Sequence, residues 1–402
     1  MAFGLSRLPD TILFGPGQLG ALGSIASTLG SRALICTDAR MAALPIMDDI
    51  RANLQDCGVE VRIFSDTQAE LPVSNIESCV ATYTQFDPDV IVGLGGGSCM
   101  DLAKLVSLLF THGGPVSQFY GEMKVPSVCR PVIAIPTTSG TGSEVTPVAV
   151  LGDDERELKI GVSSPFLIPA VAICDPELTV SCPAALTALS GADAYAHALE
   201  AISATQREPV PDLSTSRVFV GKNILSDLYA KEALQLIFNN LPIAVEKPDD
   251  LQARSAMMMG STLAGLAFST AGTSAAHAIQ YPIGAISDSA HGLGIGTLLP
   301  HVMRFNRDAA LPVYSMLAKA LGVADGQQTD VQAADALIDA TKQLFARIGI
   351  PADLRELGVE PSDAEWIAER SLLSARLAQN NPRPLDHQGV LQILSFAWGK
   401  TT

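Results

Sequence analysis

Basic residues are scarce in this chain. Its 26 Lys and Arg stand against 42 Asp and Glu, a formal net charge of −16. A surface so acidic argues against nucleic acid and anionic membrane as partners. It says little about a small substrate, because one cleft can differ in sign from the surface around it. Long apolar runs are lacking as well. No stretch reaches the roughly 20 residues that a membrane-spanning helix needs, although the mean hydropathy is +0.28. That hydrophobicity is expected to fill a large core or a subunit interface. Residues 1–13 mix Arg7, Pro9 and Asp10 into a short apolar run, so no secretory signal is expected. The seven cysteines include no CxxC pair, and their number is odd. A disulfide framework and a thiolate zinc site are both disfavoured. Buried thiols in a reducing cytoplasm are expected instead.

What is present describes a folded chain. Its 402 residues are 48% hydrophobic and 17% charged, enough for about two domains and far from a disordered composition. In the first half, short β-rich runs at 11–14, 32–36, 59–64, 90–94 and 132–135 alternate with helix-length segments. That alternation predicts an α/β domain with a mostly parallel sheet. From about Pro183 the apolar residues recur at three- and four-residue spacing. Helices are predicted over 184–204, 230–243, 251–268, 311–321, 330–349 and 363–378. The boundary is drawn there, giving an α/β domain over 1–182 and an all-α domain over 183–402. The polar stretch 206–226 between two helices reads as either an ordered loop near a cleft or an exposed insertion.

Candidate chemistry sits in both halves. Asp193 and His197 are four residues apart, so on a helix they share one face. Such a pair is commonly a surface ion pair. But two of the six histidines, His277 and His291, fall in one Gly- and Ala-rich region with small neighbours. One carboxylate with three imidazoles suits Fe(II), Zn(II), Co(II) or Ni(II). In the first half, Gly95-Gly96-Gly97-Ser98 lies between a strand and a helix, where backbone N–H groups can meet a phosphate. Thr137 and Thr138 open a second polar loop after another strand. Two such loops fit a dinucleotide lying across strand ends. Otherwise the first is a tight strand-to-helix turn and the second a polar loop. A literal GxGxxG also occurs at Gly15–Gly20; alone it is weak evidence, and it reads as a turn into a helix.

Five segments carry a resemblance over nearly the whole chain: GGGSCMDLAK (95–104), PTTSGTGSEVT (136–146), GADAYAHALE (191–200), HAIQYPIGAISDSAHG (277–292) and LLPHVMRFN (298–306). In order and separation they resemble the iron-containing (group III) alcohol dehydrogenase family. The resemblance implies an N-terminal dinucleotide-binding α/β domain and a C-terminal helical metal-binding domain, with the active site in the cleft between them. It implies Asp193, His197, His277 and His291 as ligands of the metal, Fe2+ with Zn2+ as the second candidate. It places the pyrophosphate at Gly95–Ser98, brings Asp101 near the nicotinamide, and matches Lys159 to a cofactor-touching position. Asp38, at a strand end, either only forms a turn or accepts hydrogen bonds from the adenosine ribose. It would repel the 2′-phosphate of NADP, so NAD is the expected cofactor.

The implied activity is hydride transfer between a small alcohol or its aldehyde and NAD, in a homo-oligomer (dimer or larger). A hydroxyacid–oxoacid transhydrogenase, or another hydroxy-acid oxidoreductase on the same scaffold, is the alternative. Many relatives carry a proton-relaying histidine four residues after the third ligand, where this chain has Tyr281. With an ordinary pKa near about 10, a tyrosine is a poor base at neutral pH, so Tyr281 is a pocket residue or a relay through ribose and water. By rough alignment Phe268 and Asn380 line the pocket, or else serve as a core aromatic and a helix end. His301 and His387 are assigned to structure or surface, and His112 to a Gly-flanked turn.

Overall fold

Short apolar runs alternating with helices build a six-stranded sheet in the computed structural model, which describes residues 3–153 and 158–399. In chain order the strands are β1 (Thr11–Phe14), β2 (Arg32–Cys36), β3 (Glu60–Phe64), β4 (Val90–Gly95), β5 (Gly121–Glu122), β6 (Val132–Pro136), β7 (Val148–Asp153), β8 (Leu158–Ser163) and β9 (Val171–Cys174). The large sheet has the order β1-β9-β6-β4-β2-β3, all parallel. β4 and β6 are buried along their whole lengths, as continuous apolar strands must be when both faces are covered. β2 shows both cores at once: Ala33 and Ile35 join one, Leu34 and Cys36 the other. The chain leaves β2 outward to the edge strand β3, while β4 lies on the other side of β2. This makes a topological switch point between β2 and β4, where ligands bind in open α/β sheets.

The chain divides into two compact units. The first, α/β, holds Arg7–Cys182 and Asp212–Val218. The second is helical and holds residues 3–6, 183–211 and 219–399. Segment 212–218 is therefore ordered and belongs to the α/β unit. The Arg7 guanidinium donates to Val218 O at 2.8 Å and to Arg217 O at 3.2 Å, and Val218 N donates to Glu122 Oε2 at 3.0 Å.

In the helical unit, the Ala184–Ser203, Ile224–Glu246 and Leu251–Ala271 helices pack closely because glycine removes side chains at their crossings. A Cβ on Gly191 would lie 2.2 Å from Leu241 Cδ1, and one on Gly260 would lie 2.7 Å from Ile237 Cγ1. The Ile224–Glu246 helix starts six residues before the predicted position. Its Asn223 cap accepts from the N–H groups of Leu225 and Ser226, and Asn223 N donates to Ser226 Oγ, a capping box. The apolar pattern hid this start, because Ile224 and Leu228 are exposed. The helix predicted over 363–378 is in fact two, Ala364–Leu373 and Ala375–Asn380, broken at Ser374. Strands β5 and β7–β9 were not anticipated. β7 and β8 form an antiparallel pair in a second sheet of order β5-β8-β7. Among the described residues no helix is long and apolar enough to cross a membrane, and none of the seven cysteines is disulfide-bonded.

Candidate functional site

The helical unit gathers one carboxylate and three imidazoles. Asp193 and His197 stand one turn apart on the Ala184–Ser203 helix. His277 lies in the first turn of the Ala275–Ser287 helix, and His291 is the first residue of the His291–Asn306 helix. Nε2 atoms of His277, His197 and His291 lie 3.5, 3.7 and 3.7 Å from Asp193 Oδ1. The ligand atoms of Asp193, His277 and His291 are all within 4.8 Å of one another. Ligand bonds of about 2.1 Å in tetrahedral geometry place donor atoms roughly 3.4 Å apart, close to the observed spacing.

Donor chemistry agrees with the spacing. Asp193 Oδ1 and His277 Nε2 are buried and make no hydrogen bond, a costly arrangement unless a cation takes both. Burial pushes the Asp193 carboxyl up, but His197, His291 and His277 outweigh this and hold it well below the usual carboxylate range. Burial lowers His277, yet Glu200 and Asp193 more than offset it, and the ring is pushed up to about 9. A field that favours positive charge here suits a divalent ion. The four residues fit a metal.

Close helix approach makes the cluster possible. A Cβ on Gly292 would lie 2.3 Å from Leu189 O, and one on Gly294 would lie 1.8 Å from Gln280 Oε1. Gly292 follows His291, and Leu189 is one turn before Asp193, so the glycine lets His291 come within reach of the carboxylate. The rings are also stacked. Phe268 lies on His197 at a centroid distance of 4.4 Å, His197 on His277 at 4.7 Å, and Tyr281 on His291 at 6.2 Å. Phe268 is thus both a core aromatic and a neighbour of the cluster. Tyr281, half-buried, stands one turn beyond His277. Asn380 donates to Ala271 O and Thr273 O, tying down the loop that leads to His277.

Glu200 is a site residue that the sequence pattern did not single out. Its Oε2 is 2.6 Å from His277 Nδ1, and its carboxylate accepts from Ser274 N at 2.9 Å and Ala276 N at 2.7 Å. Burial raises its pKa, but His277 and the two backbone donors outweigh this and keep it ionised. The signal was present: Glu200 lies seven residues after Asp193, two helical turns along one face. The other histidines are engaged elsewhere, His112 with Ser127 O, His301 with Ala352 O and His387 with Glu365. His112 is the last residue of the Gly97–His112 helix, and the glycine turn expected around it begins only at Gly113.

In the α/β unit the cofactor candidates collect at the carboxyl ends of three adjacent strands. Asp38 follows β2, Gly95–Ser98 ends β4 and opens the Gly97–His112 helix, and Thr137 and Thr138 follow β6. Thr137 N donates to Gly95 O at 2.9 Å. A Cβ on Gly96 would lie 3.7 Å from Thr138 Oγ1, and one on Gly97 would lie 2.7 Å from Thr141 Cγ2. Gly95 has a φ of 148°, a conformation suited to glycine. The helix that follows has no side-chain cap, so backbone donors face this end.

Asp38 caps a short helix, its Oδ1 accepting from Met41 N at 2.8 Å, and its Oδ2 lies 3.9 Å from Cys99 Sγ. Asp101 accepts from Ser143 Oγ at 2.6 Å and Val150 N at 3.0 Å, with Lys104 Nζ 3.9 Å away. Burial pushes the Asp101 carboxyl up. Lys159 pairs with Glu70. The Gly15–Gly20 stretch is a turn into a helix beside edge strand β1, and Asp175 accepts from Leu19 N there at 2.9 Å.

Comparison with known proteins agrees with this geometry. The family model for the iron-containing alcohol dehydrogenases matches residues 9–176, and that for the C-terminal part of the same family matches 187–398. The chain is 33% identical to the NAD-dependent methanol dehydrogenase of Bacillus methanolicus over 391 residues, covering 97% of this chain and 98% of that protein. It is 34% identical to the 1,3-propanediol dehydrogenase of Klebsiella pneumoniae over 394 residues, covering 97% and 98%. A crystal structure of 1,3-propanediol oxidoreductase superposes with a TM-score of 0.92 at 33% identity, covering 98% of this chain and 100% of that one.

Proposed function

The chain belongs to the iron-containing alcohol dehydrogenase family, and on that premise we propose how an NAD- and iron-dependent alcohol dehydrogenase divides its work among these residues. Asp193, His197, His277 and His291 hold the metal, with Zn2+ the second candidate ion. When bound, the metal offers Lewis-acid stabilisation of negative charge on the alcohol oxygen, and the nicotinamide offers a hydride acceptor. The protein supplies position and field. Gly95, Gly96, Gly97 and Ser98 receive the pyrophosphate, and Thr137 and Thr138 add hydroxyl donors. Asp38 reads the adenosine ribose and disfavours a 2′-phosphate. Asp101 and Lys159 border the cofactor. Tyr281 stands on the substrate side, its hydroxyl serving the alcohol proton through ribose or water.

One observation carries this reading: the ligand atoms of Asp193, His277 and His291 converge within 4.8 Å of one another, and Asp193 Oδ1 and His277 Nε2 there are buried without a hydrogen bond. The substrate is a small alcohol or its aldehyde. Seven unbridged cysteines fit a cytoplasmic protein, and the mean hydropathy of +0.28 fits a homo-oligomer. The test is a substrate panel of primary alcohols, diols and hydroxy acids, run with NAD and with NADP after loading with Fe(II) or Zn(II). NADH formation with an alcohol is expected. If no alcohol yields NADH, but hydride passes from a hydroxy acid to an oxo acid without added NAD, the protein is a transhydrogenase.

A further inference from the structure

We propose that Glu200 is a positioning residue that fixes His277 as a metal ligand. The inference rests on the reading of Asp193, His197, His277 and His291 as ligands. An ionised carboxylate only accepts hydrogen bonds. In the 2.6 Å contact between Glu200 Oε2 and His277 Nδ1, the hydrogen therefore belongs to Nδ1. Once a metal displaces the second ring proton, the lone pair is left on Nε2, the atom 3.5 Å from Asp193 Oδ1. A neutral imidazole without such a partner carries its proton on either nitrogen, and its ring is free to turn.

Glu200 is itself held. It is only 2% exposed and accepts from Ser274 N and Ala276 N. These are N–H groups at the start of the Ala275–Ser287 helix, which Ser274 leaves without a side-chain cap. A carboxylate from the helix bearing Asp193 and His197 thus caps the helix bearing His277. Carboxylates that orient a ligating histidine from behind are known to matter nearly as much as the ligands. Here one such group also ties together the two helices that bring three of the four donors.

The experiment is a double-mutant cycle read by zinc affinity, measured on metal-stripped whole protein by competition with a chromophoric chelator. Glu200→Gln keeps the shape and removes the charge. It is expected to weaken zinc binding by about 10–100-fold. In a His277→Ala background the same change is expected to weaken it by less than about threefold, because its effect runs through His277. Equal losses in both backgrounds, or no loss in the wild-type background, overturn the proposal. A wild type that binds no zinc, or a His277→Ala variant that binds it as tightly as wild type, overturns the ligand reading itself and the proposal with it. Histidine nitrogen NMR of the zinc-loaded wild type requires no variant to fold. A protonated Nδ1 at His277 is expected there, and a zinc-bound Nδ1 refutes the proposal.

Discussion

Replacing Gly292 by alanine tests how closely the metal cluster depends on backbone packing. The new Cβ would sit 2.3 Å from Leu189 O, about 1 Å inside an ordinary contact. The obstacle is backbone within a helix, so it cannot swing away as a side-chain tip would. The His291–Asn306 helix has to retreat at its first turn, by something approaching that 1 Å. Overpacking of this kind typically destabilises by about 1–3 kcal/mol, which corresponds to a Tm lower by roughly 2–12 °C in a unit of this size. The local effect is sharper. Metal bonds tolerate about 0.2 Å, so a shift of that size takes His291 Nε2 out of bonding range. Zinc affinity should fall by at least about 10–100-fold, the loss seen when only an outer partner of a ligand is removed. The assays are thermal melting of the metal-free protein and zinc titration against a chelator. A Tm within about 1 °C of wild type, or a lowered Tm with unchanged zinc affinity, would refute the reasoning that Gly292 sets the position of His291.

Three further outcomes are expected. Asp38→Gly should raise kcat/KM with NADP relative to NAD by about tenfold or more, since a carboxylate facing a phosphate costs several kcal/mol; an unchanged ratio in steady-state kinetics removes Asp38 from cofactor choice. Tyr281→Phe should leave zinc affinity within about twofold of wild type, because it deletes only a hydroxyl. It should also alter the pH profile of kcat, and an unaltered profile with unchanged turnover excludes the hydroxyl from proton transfer. Lys104 is buried, and burial pushes its ammonium down from 10.5 to about 8, against the pull of Asp101 and Glu144. Between those values the unfolded chain binds more protons than the folded one, so this group makes stability rise with pH, by up to about 3 kcal/mol across the window. Urea denaturation at pH 8 and 10 should show that rise in wild type and a flatter response in Lys104→Met; equal pH responses would rule Lys104 out. At pH 10, where most of the cost of burying the charge is gone, the variant should be less stable by about 1–3 kcal/mol, because Lys104 Nζ donates to Thr146 O and Val148 O.

Local signals were legible before the structure, and long-range ones were not. β1, β2, β4 and β6 announce themselves as short, mostly apolar runs, a signal contained within each strand's own few residues. The pairing of Asp193 with His197 is likewise local, a matter of one helical turn. Its meaning came only with His277 and His291, which the fold brings in from about 80 residues and more away. Glu200 was passed over because a buried carboxylate on a helix leaves no trace in hydropathy; only its distance of two turns from Asp193 marks it. Ile224 and Leu228 misled for the opposite reason, being apolar yet exposed, so the helix start was placed too late. Asp101 is a further case. Its acceptor duties toward Ser143 and Val150 cross between elements, and no pattern within GGGSCMDLAK reveals them.

Segment 212–218 has a consequence for how the protein is made. The α/β unit does not end with Cys182. Arg7 acquires its carbonyl partners at Arg217 and Val218 only after the first helix of the other unit has been synthesised. At ribosomal rates of about 5–20 residues per second, the last piece of the unit arrives roughly 2–7 s after the rest. During that interval Arg7 lacks the carbonyls of Arg217 and Val218, and Glu122 lacks the Val218 N–H, because that stretch of chain is still being translated. A gene fragment stopping at residue 182 would hold the protein in that state permanently, so the two units are poor candidates for separate expression.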